Sequence, residues 1–259
     1  TGISPLPLSV KEHKRILIVP QETSNPFAFM MGGKNKKKPV EYLKEKLEAE
    51  GFEVTIYESM MDKILKAPEE EAGKMIRENC SLMVGGFLRC GTPVKVIEEI
   101  IKNKTGNLTL IANDTSYPEH DRGRLIANRL VKKAIVGHIG TNPETGRQMN
   151  AGELEVELVP MGTLVERIRA AGSGLGGFLT PTGVGTVVEK GKTVMEIDGR
   201  KYLLEKPLKA DFALISAARA DRFGNLFLPG TTRNFNVVMA TAADTVIVEA
   251  GELSDEPLK

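Results

Sequence analysis

The stretch Ser81-Leu82-Met83-Val84-Gly85-Gly86-Phe87-Leu88-Arg89-Cys90-Gly91-Thr92-Pro93 reads as a strand, a glycine-rich turn and the first turn of a helix. The apolar run at 82–84 is short and bounded by turn residues, as in a strand buried on both faces. Pro93 suits a first helical turn, and Thr92 is placed to cap it. The helix then runs to about Asn103, with Val94, Ile97 and Ile101 predicted inward. Working outward, Leu108 to Ala112, Ala134 to Ile139 and Leu154 to Val159 read as further strands with helices fitted between them. That alternation predicts an α/β domain with a mainly parallel sheet. Phe212 to Ala217 and Thr245 to Glu249 add strands, with a helix near Asn236 to Ala243. One segment breaks the pattern: in VMEIDGRKYLLE, Asp198-Gly199 is a two-residue turn between alternating strands, which predicts a hairpin.

Upstream, a helix is expected from about Pro68 to Glu78, and its first turn carries Glu69 to Glu71. The N-terminal 60 residues form a separate unit of the sequence. Arg15 to Val19 is a β-type run, Pro39 opens a helix with Val40, Leu43 and Leu47 on one face, and Phe52 to Tyr57 alternates as a strand. We therefore divide the chain into an N-terminal βαβ extension, 1–60, and a main domain, 61–259. The loop Gly32-Gly33-Lys34-Asn35-Lys36-Lys37-Lys38 lacks the Gly-Lys-Ser/Thr order of a phosphate-binding P-loop and reads better as a solvated basic loop.

Composition excludes several classes. With 35 basic and 34 acidic residues, the net charge of +1 supplies no field toward nucleic acid or a membrane surface. Aromatic content of 5% with no Trp leaves little for base stacking. Cys80 and Cys90 are too few for a disulfide framework, and His13, His120 and His138 show no metal-ligand spacing. No apolar run approaches 18 residues and no signal peptide is evident, so a cytoplasmic protein is expected.

The glycine-rich turn carries the chemistry. Glycines let a ligand approach main-chain N–H groups, and a helix N-terminus favours an anion. Arg89 in the loop and Lys95 in the first helical turn are cations at a site that disfavours them unless an anion lies nearby. Two readings stay open on the residues alone: a phosphate or acyl-CoA contact, or a tight turn with solvent-facing cations.

The run ENCSLMVGGFLRCGTP resembles the signature of the family I coenzyme A transferases, departing only at Glu78, where the family has Asp or Asn. The blocks IANDT, GHIGTNPETGRQMNAGELEVELVP, GTLVERIRAAGSGLGGFLTPTGVGT, ADRFGNL and TRNFN extend the resemblance over about Met61 to Lys259. Their wording is similar to that of acetate/acetoacetate or butyrate CoA-transferase α subunits. Nothing in the family resembles 1–60. The resemblance implies a three-layer α/β sandwich. It also implies transfer of CoA between a short-chain acyl-CoA or 3-oxoacyl-CoA and a free carboxylate. That reaction runs by ping-pong through a glutamyl-CoA thioester. Such chemistry asks for a carboxylate nucleophile, donors for the oxyanion and a slot for CoA. In two-subunit members the glutamate belongs to the β subunit, and nothing here matches its motif. A β partner, in an α2β2 assembly, is therefore expected, with coenzyme A as substrate and no bound cofactor or metal.

By the same resemblance Gly85, Gly86, Phe87, Leu88, Arg89, Cys90 and Gly91 contact CoA. No catalytic residue is expected in this chain. Glu153, Glu155 and Glu157 read as the polar face of a strand, and Glu166 as helix surface. The block Gly172 to Gly185 either shapes the acyl end of the pocket, as in the family, or is a structural loop. One departure matters: family members carry Gln in ELTPQGT as an oxyanion donor, and this chain has Met161 in ELVPMGT. Met has no N–H or O–H to donate. A backbone N–H such as that of Gly162, donors from the β subunit, or altered chemistry would each account for it. Family α chains also continue past the last strand with a short apolar segment, so a sheet edge is expected to be open or filled by a partner. A non-catalytic CoA-binding subunit is the rival from another class. A changed reaction on the same fold is a third reading, since related folds carry sugar-phosphate isomerases and regulatory sensors.

Overall fold

The computed structural model describes residues 69–258; the proposed N-terminal βαβ unit lies outside the described residues. The helix α1 (Glu69–Met75) precedes the strand β1 (Ser81–Val84). Three right-through βαβ steps follow: α2 (Val94–Lys102) to β2 (Leu108–Asp114), α3 (Gly123–Ala127) to β3 (Val131–His138), and α4 (Pro143–Asn150) to β4 (Glu155–Leu158). Then come α5 (Met161–Gly172) and three short strands, β5 (Phe178–Thr180), β6 (Val194–Ile197) and β7 (Arg200–Glu205). The chain ends with β8 (Ala210–Asp221), β9 (Leu226–Phe227), α6 (Asn236–Met239) and β10 (Ala243–Ser254).

The main sheet has the order β10-β8-β1-β2-β3-β4, with every pair along it parallel, and β9 folds back antiparallel on β8. Successive residues of a strand point to opposite faces. Leu82 and Val84 accordingly pack with Ile97, Ile100, Leu125 and Ile126 on one side, while Met83 packs with Leu164, Ile168 and Met239 on the other. Two apolar layers, one on each face, make the expected three-layer sandwich. A clip joins β1 to β8: the Asp211 carboxylate accepts from Ser81 N at 2.7 Å and from Ser81 Oγ at 2.6 Å.

The hairpin forms as the sequence predicts. Ile197 pairs with Arg200 across a turn in which Asp198 and Gly199 take φ of 48° and 74°. Positive φ at both central residues is the turn geometry that follows strand twist, and Asp-Gly tolerates it. With β5, this hairpin builds a small antiparallel sheet of order β5-β7-β6.

Three local expectations need correction. In α2 Ile97 is buried and Ile101 packs partly buried against the core, as expected, but Val96, Glu99 and Ile100 are buried where Val94 was expected, because α2 packs against α1 as well as the sheet. The helix expected over 236–243 is one turn, Asn236–Met239; beyond it Ala240–Ala242 lead straight into β10. Glu153 precedes β4 rather than lying on it. Glu155 and Glu157 do lie on β4, where Lys133 pairs with both, at 2.7 and 3.4 Å, and Arg167 reaches Glu157 at 2.8 Å. Glu166 pairs with Arg169 on α5. Among the described residues β10 has one strand neighbour, β8, so it forms an edge of the sheet.

Candidate functional site

Strand order reverses at β1: the chain steps outward through β2, β3 and β4, then returns to lay β8 and β10 on the opposite side of β1. In open parallel sheets the connections at such a switch point leave in opposite directions, and a crevice opens at the carboxyl ends of the strands. The glycine-rich loop, 85–91, leaves β1 at that place.

The loop is a braced platform. Gly85 N donates to Leu214 O of β8 at 2.9 Å. Phe87 and Cys90 exchange backbone hydrogen bonds of 3.0 and 2.9 Å, closing a two-residue tip of Leu88 (φ 48°) and Arg89. Phe87 stands half exposed, Leu88 and Cys90 are partly buried, and Arg89 is exposed. Gly86 takes φ +115°, and a Cβ there would lie 2.2 Å from Thr92 Oγ1 and 3.0 Å from Arg122 Nη1. Only glycine meets both demands.

Beneath the loop lies a buried ion pair. Arg122 and Asp114 are 0% and 1% exposed, with Arg122 Nη2 2.6 Å from Asp114 Oδ1. Arg122 Nε donates to Asp114 O at 2.7 Å and Nη1 to Thr92 Oγ1 at 3.1 Å. Asp114 Oδ2 accepts from Leu88 N at 2.9 Å, and Oδ1 also accepts from Ser116 N at 2.7 Å. The carboxylate therefore grips the loop tip from below. Burial holds the Arg122 guanidinium below its ordinary value, an effect that the Asp114 carboxylate opposes without cancelling. From the other side, Asn234 Oδ1 accepts from Gly86 N at 3.1 Å while its Nδ2 donates to Cys90 O at 3.1 Å. Asn236 Nδ2 donates to Gly91 O at 2.9 Å, and its Oδ1 accepts from Ser216 N of β8 at 3.1 Å. Asp114, Arg122, Asn234 and Asn236 received no role from sequence reasoning. The signal was available: a charged or amide residue at the end of an apolar strand, as in LTLIAND, marks a buried polar contact.

Thr92 does not cap α2. Its hydroxyl is engaged with Arg122, and the helix has no side-chain cap of its own. Instead Glu249 of β10 reaches over: its Oε2 accepts from Lys95 N at 2.8 Å and Val96 N at 3.3 Å. The helix N-terminus thus already holds an anion from within the chain. Lys95 faces that same carboxylate, and the charge of Arg89 acts on buried Asp121. Of the negative charge that the cations of this turn call for, β10 supplies one carboxylate at the start of α2. Burial pushes the Glu249 carboxyl above its ordinary 4.5, and the two N–H bonds and Lys95 pull it down without cancelling the burial. Ionised Glu249 therefore costs the folded state. Relative to a Glu249→Gln variant, wild-type stability should fall as pH rises from about 4.5 through the raised value. Glu249→Ala, which strands both N–H groups, should lose about 1 kcal/mol in urea titrations. Equal pH profiles for wild type and the Gln variant would refute this.

A cavity of about 440 Å³ opens beside the loop, lined by Phe87, Asn113, Val165, Thr231, Asn234 and Phe235. Of the nominated loop residues, Phe87 lines it. No carboxylate is among its lining residues. Met161 opens α5 and is 36% exposed. Its thioether lies over Gly137 of β3: Cε and Sδ would be 2.7 and 2.8 Å from a Cβ there. The block 172–185 runs from the end of α5 into the small sheet, and none of its residues lines the cavity.

The family model for coenzyme A transferase matches residues 66–257. The α subunit of acetoacetyl-CoA:acetate/butyrate CoA transferase from Clostridium acetobutylicum is 55% identical over 71% of this chain and 84% of its own. The acetate CoA-transferase α subunit of Escherichia coli is 53% identical over the same shares. Among solved structures, the decarboxylase AibA/AibB has a TM-score of 0.64 at 26% identity, covering 74% of this chain and 76% of that one. The chain belongs to the coenzyme A transferase family, as a family I chain of the α-subunit type. Among the described residues no helix is long and apolar enough to cross a membrane.

Proposed function

We propose that this chain is the α subunit of a two-subunit enzyme that moves CoA between a short-chain acyl-CoA or 3-oxoacyl-CoA and a free carboxylate such as acetate, acetoacetate or butyrate. The observation that carries the reading is the placement of the family signature: the loop 85–91 stands at the switch point, beside a largely apolar cavity. The loop, from Gly85 through Phe87, Leu88, Arg89 and Cys90 to Gly91, forms the CoA-facing wall. A glutamate of a β partner closes the cavity, becomes the CoA thioester and passes CoA to the second acid. Coenzyme A is substrate rather than resident cofactor, the assembly is α2β2, and the site of action is the cytoplasm.

The test is co-purification with the β-type subunit, followed by CoA exchange between butyryl-CoA and acetate or acetoacetate. Turnover by the pair and none by this chain alone is the expected result. A stable pair that binds CoA without exchange would favour the second reading, a CoA-binding subunit, for which Met161 speaks. The likeness to the decarboxylase AibA/AibB makes a decarboxylation assay a necessary control.

Met161 offers no donor, and the first turn of α5 has no side-chain cap. Backbone N–H groups at a helix start have no partner inside the helix and remain available to an oxyanion. On this account Met161→Gln changes turnover by less than about threefold, because the donor is already supplied. A gain approaching the 10²–10³ scale of a missing donor would show that the enzyme works without one.

A further inference from the structure

Most of the cavity wall is apolar, through Phe87, Val165 and Phe235, with three polar residues among them. Two of the three are committed to the fold. Thr231 Oγ1 lies 2.9 Å from Cys90 Sγ, and Asn234 is bonded through both ends of its amide. Asn113 differs. It is 5% exposed, and its amide oxygen is sealed from solvent with no hydrogen-bond partner among the described residues. An unpaired buried amide oxygen costs about 1–3 kcal/mol, and an apolar side chain of similar size would avoid that cost. Folding alone gives no reason for an amide here.

Asn113 also sits at the right height. It is the penultimate residue of β2, next to Asp114, which holds the loop tip. Its carbonyl borders Gly137, the same glycine that Met161 covers. The amide is thus at the carboxyl end of the sheet, below the rim formed by the loop and the start of α5.

We propose that the Asn113 side-chain amide is the polar contact for the acyl group held in this cavity, donating from its N–H₂ to an acyl oxygen. This rests on the transferase reading above. A side-chain amide carries two donors at one end, and no hydrogen bond through the oxygen end holds it in place. In an apolar cavity such a bond selects chains that present an oxygen over those that do not. The oxygen has two sources: the 3-oxo group of a 3-oxoacyl chain, or the reacting carboxyl carbon's oxygen, which every substrate has.

The test is Asn113→Leu in the complete two-subunit enzyme, with kcat and KM for acetoacetyl-CoA and for butyryl-CoA against acetate, and the thermal midpoint of each protein. The expected result is a fall in kcat/KM of about tenfold or more with acetoacetyl-CoA and no fall in thermal midpoint, since folding loses no bond through that oxygen. An unchanged rate with butyryl-CoA assigns the bond to the 3-oxo group; an equal fall assigns it to the reacting carboxyl. Asn113→Ala gives the same comparison if the Leu variant does not assemble. A change below twofold with both substrates, or a loss that follows a lowered midpoint, overturns the proposal. If the wild-type pair exchanges no CoA, the transferase reading itself fails and this proposal falls with it.

Discussion

Arg122→Met should lower the free energy of unfolding by about 3–5 kcal/mol, because it leaves a buried carboxylate without its partner. Asp114 is 1% exposed and would keep only the N–H groups of Leu88 and Ser116. Water cannot replace the lost guanidinium without opening the layer between β1, β2 and α3. The loop should suffer as well, since Arg122 also anchors Thr92 and Asp114 anchors the tip. Urea unfolding measures the first effect, and KM for acyl-CoA in the assembled enzyme measures the second. The double variant Asp114→Leu, Arg122→Met should recover much of the stability, because a matched apolar pair carries no desolvated charge. It should not recover KM, because Leu cannot accept from Leu88 N. A single variant that loses less than about 1 kcal/mol, the scale of an exposed pair, would show that the charge is not effectively buried.

Gly86→Ala should have the second large effect. At φ +115° an L side chain is strained, and the added Cβ would stand 2.2 Å from Thr92 Oγ1 with Arg122 Nη1 at 3.0 Å. Neither neighbour can retreat freely, because Arg122 is fully buried and bonded to Asp114 and Thr92. Strain and overpacking together should destabilise by about 3 kcal/mol, or shift the loop and raise KM for acyl-CoA. Gly146→Ala is the control. Gly146 lies within α4, and nothing stands within 4 Å of its added Cβ. There Ala should stabilise by up to about 1 kcal/mol through helix propensity. Equal unfolding midpoints for the two variants would refute the claim that Gly86 is required by its place.

The signature loop shows both how far the sequence reaches and where it stops. Strand, turn and helix were legible from apolar runs and punctuation, because a parallel strand buried on both faces must be apolar throughout. The Asp198-Gly199 hairpin was legible for the same local reason: few residue pairs tolerate two positive φ values in succession. The capping of α2 was not. Thr92 has the right residue type at the right place, yet its hydroxyl belongs to Arg122, thirty residues on, and the cap comes from Glu249 on β10. A carboxylate 154 residues away along the chain leaves no local trace.

What the sequence by itself determined about this protein is therefore the α/β class, the order of most elements, the family, and the loop on which attention should fall. Those follow from periodicity, turn chemistry and a long motif, all carried by neighbouring residues. Tertiary structure decided the rest: that β1 is the switch point, that Asp114 and Arg122 hold the loop from below, that α2 already has its anion, and that Asn113 is left with an unpaired amide beside the cavity. Each of these depends on which strands lie side by side, a choice made by burying both faces of the sheet at once rather than by any single segment.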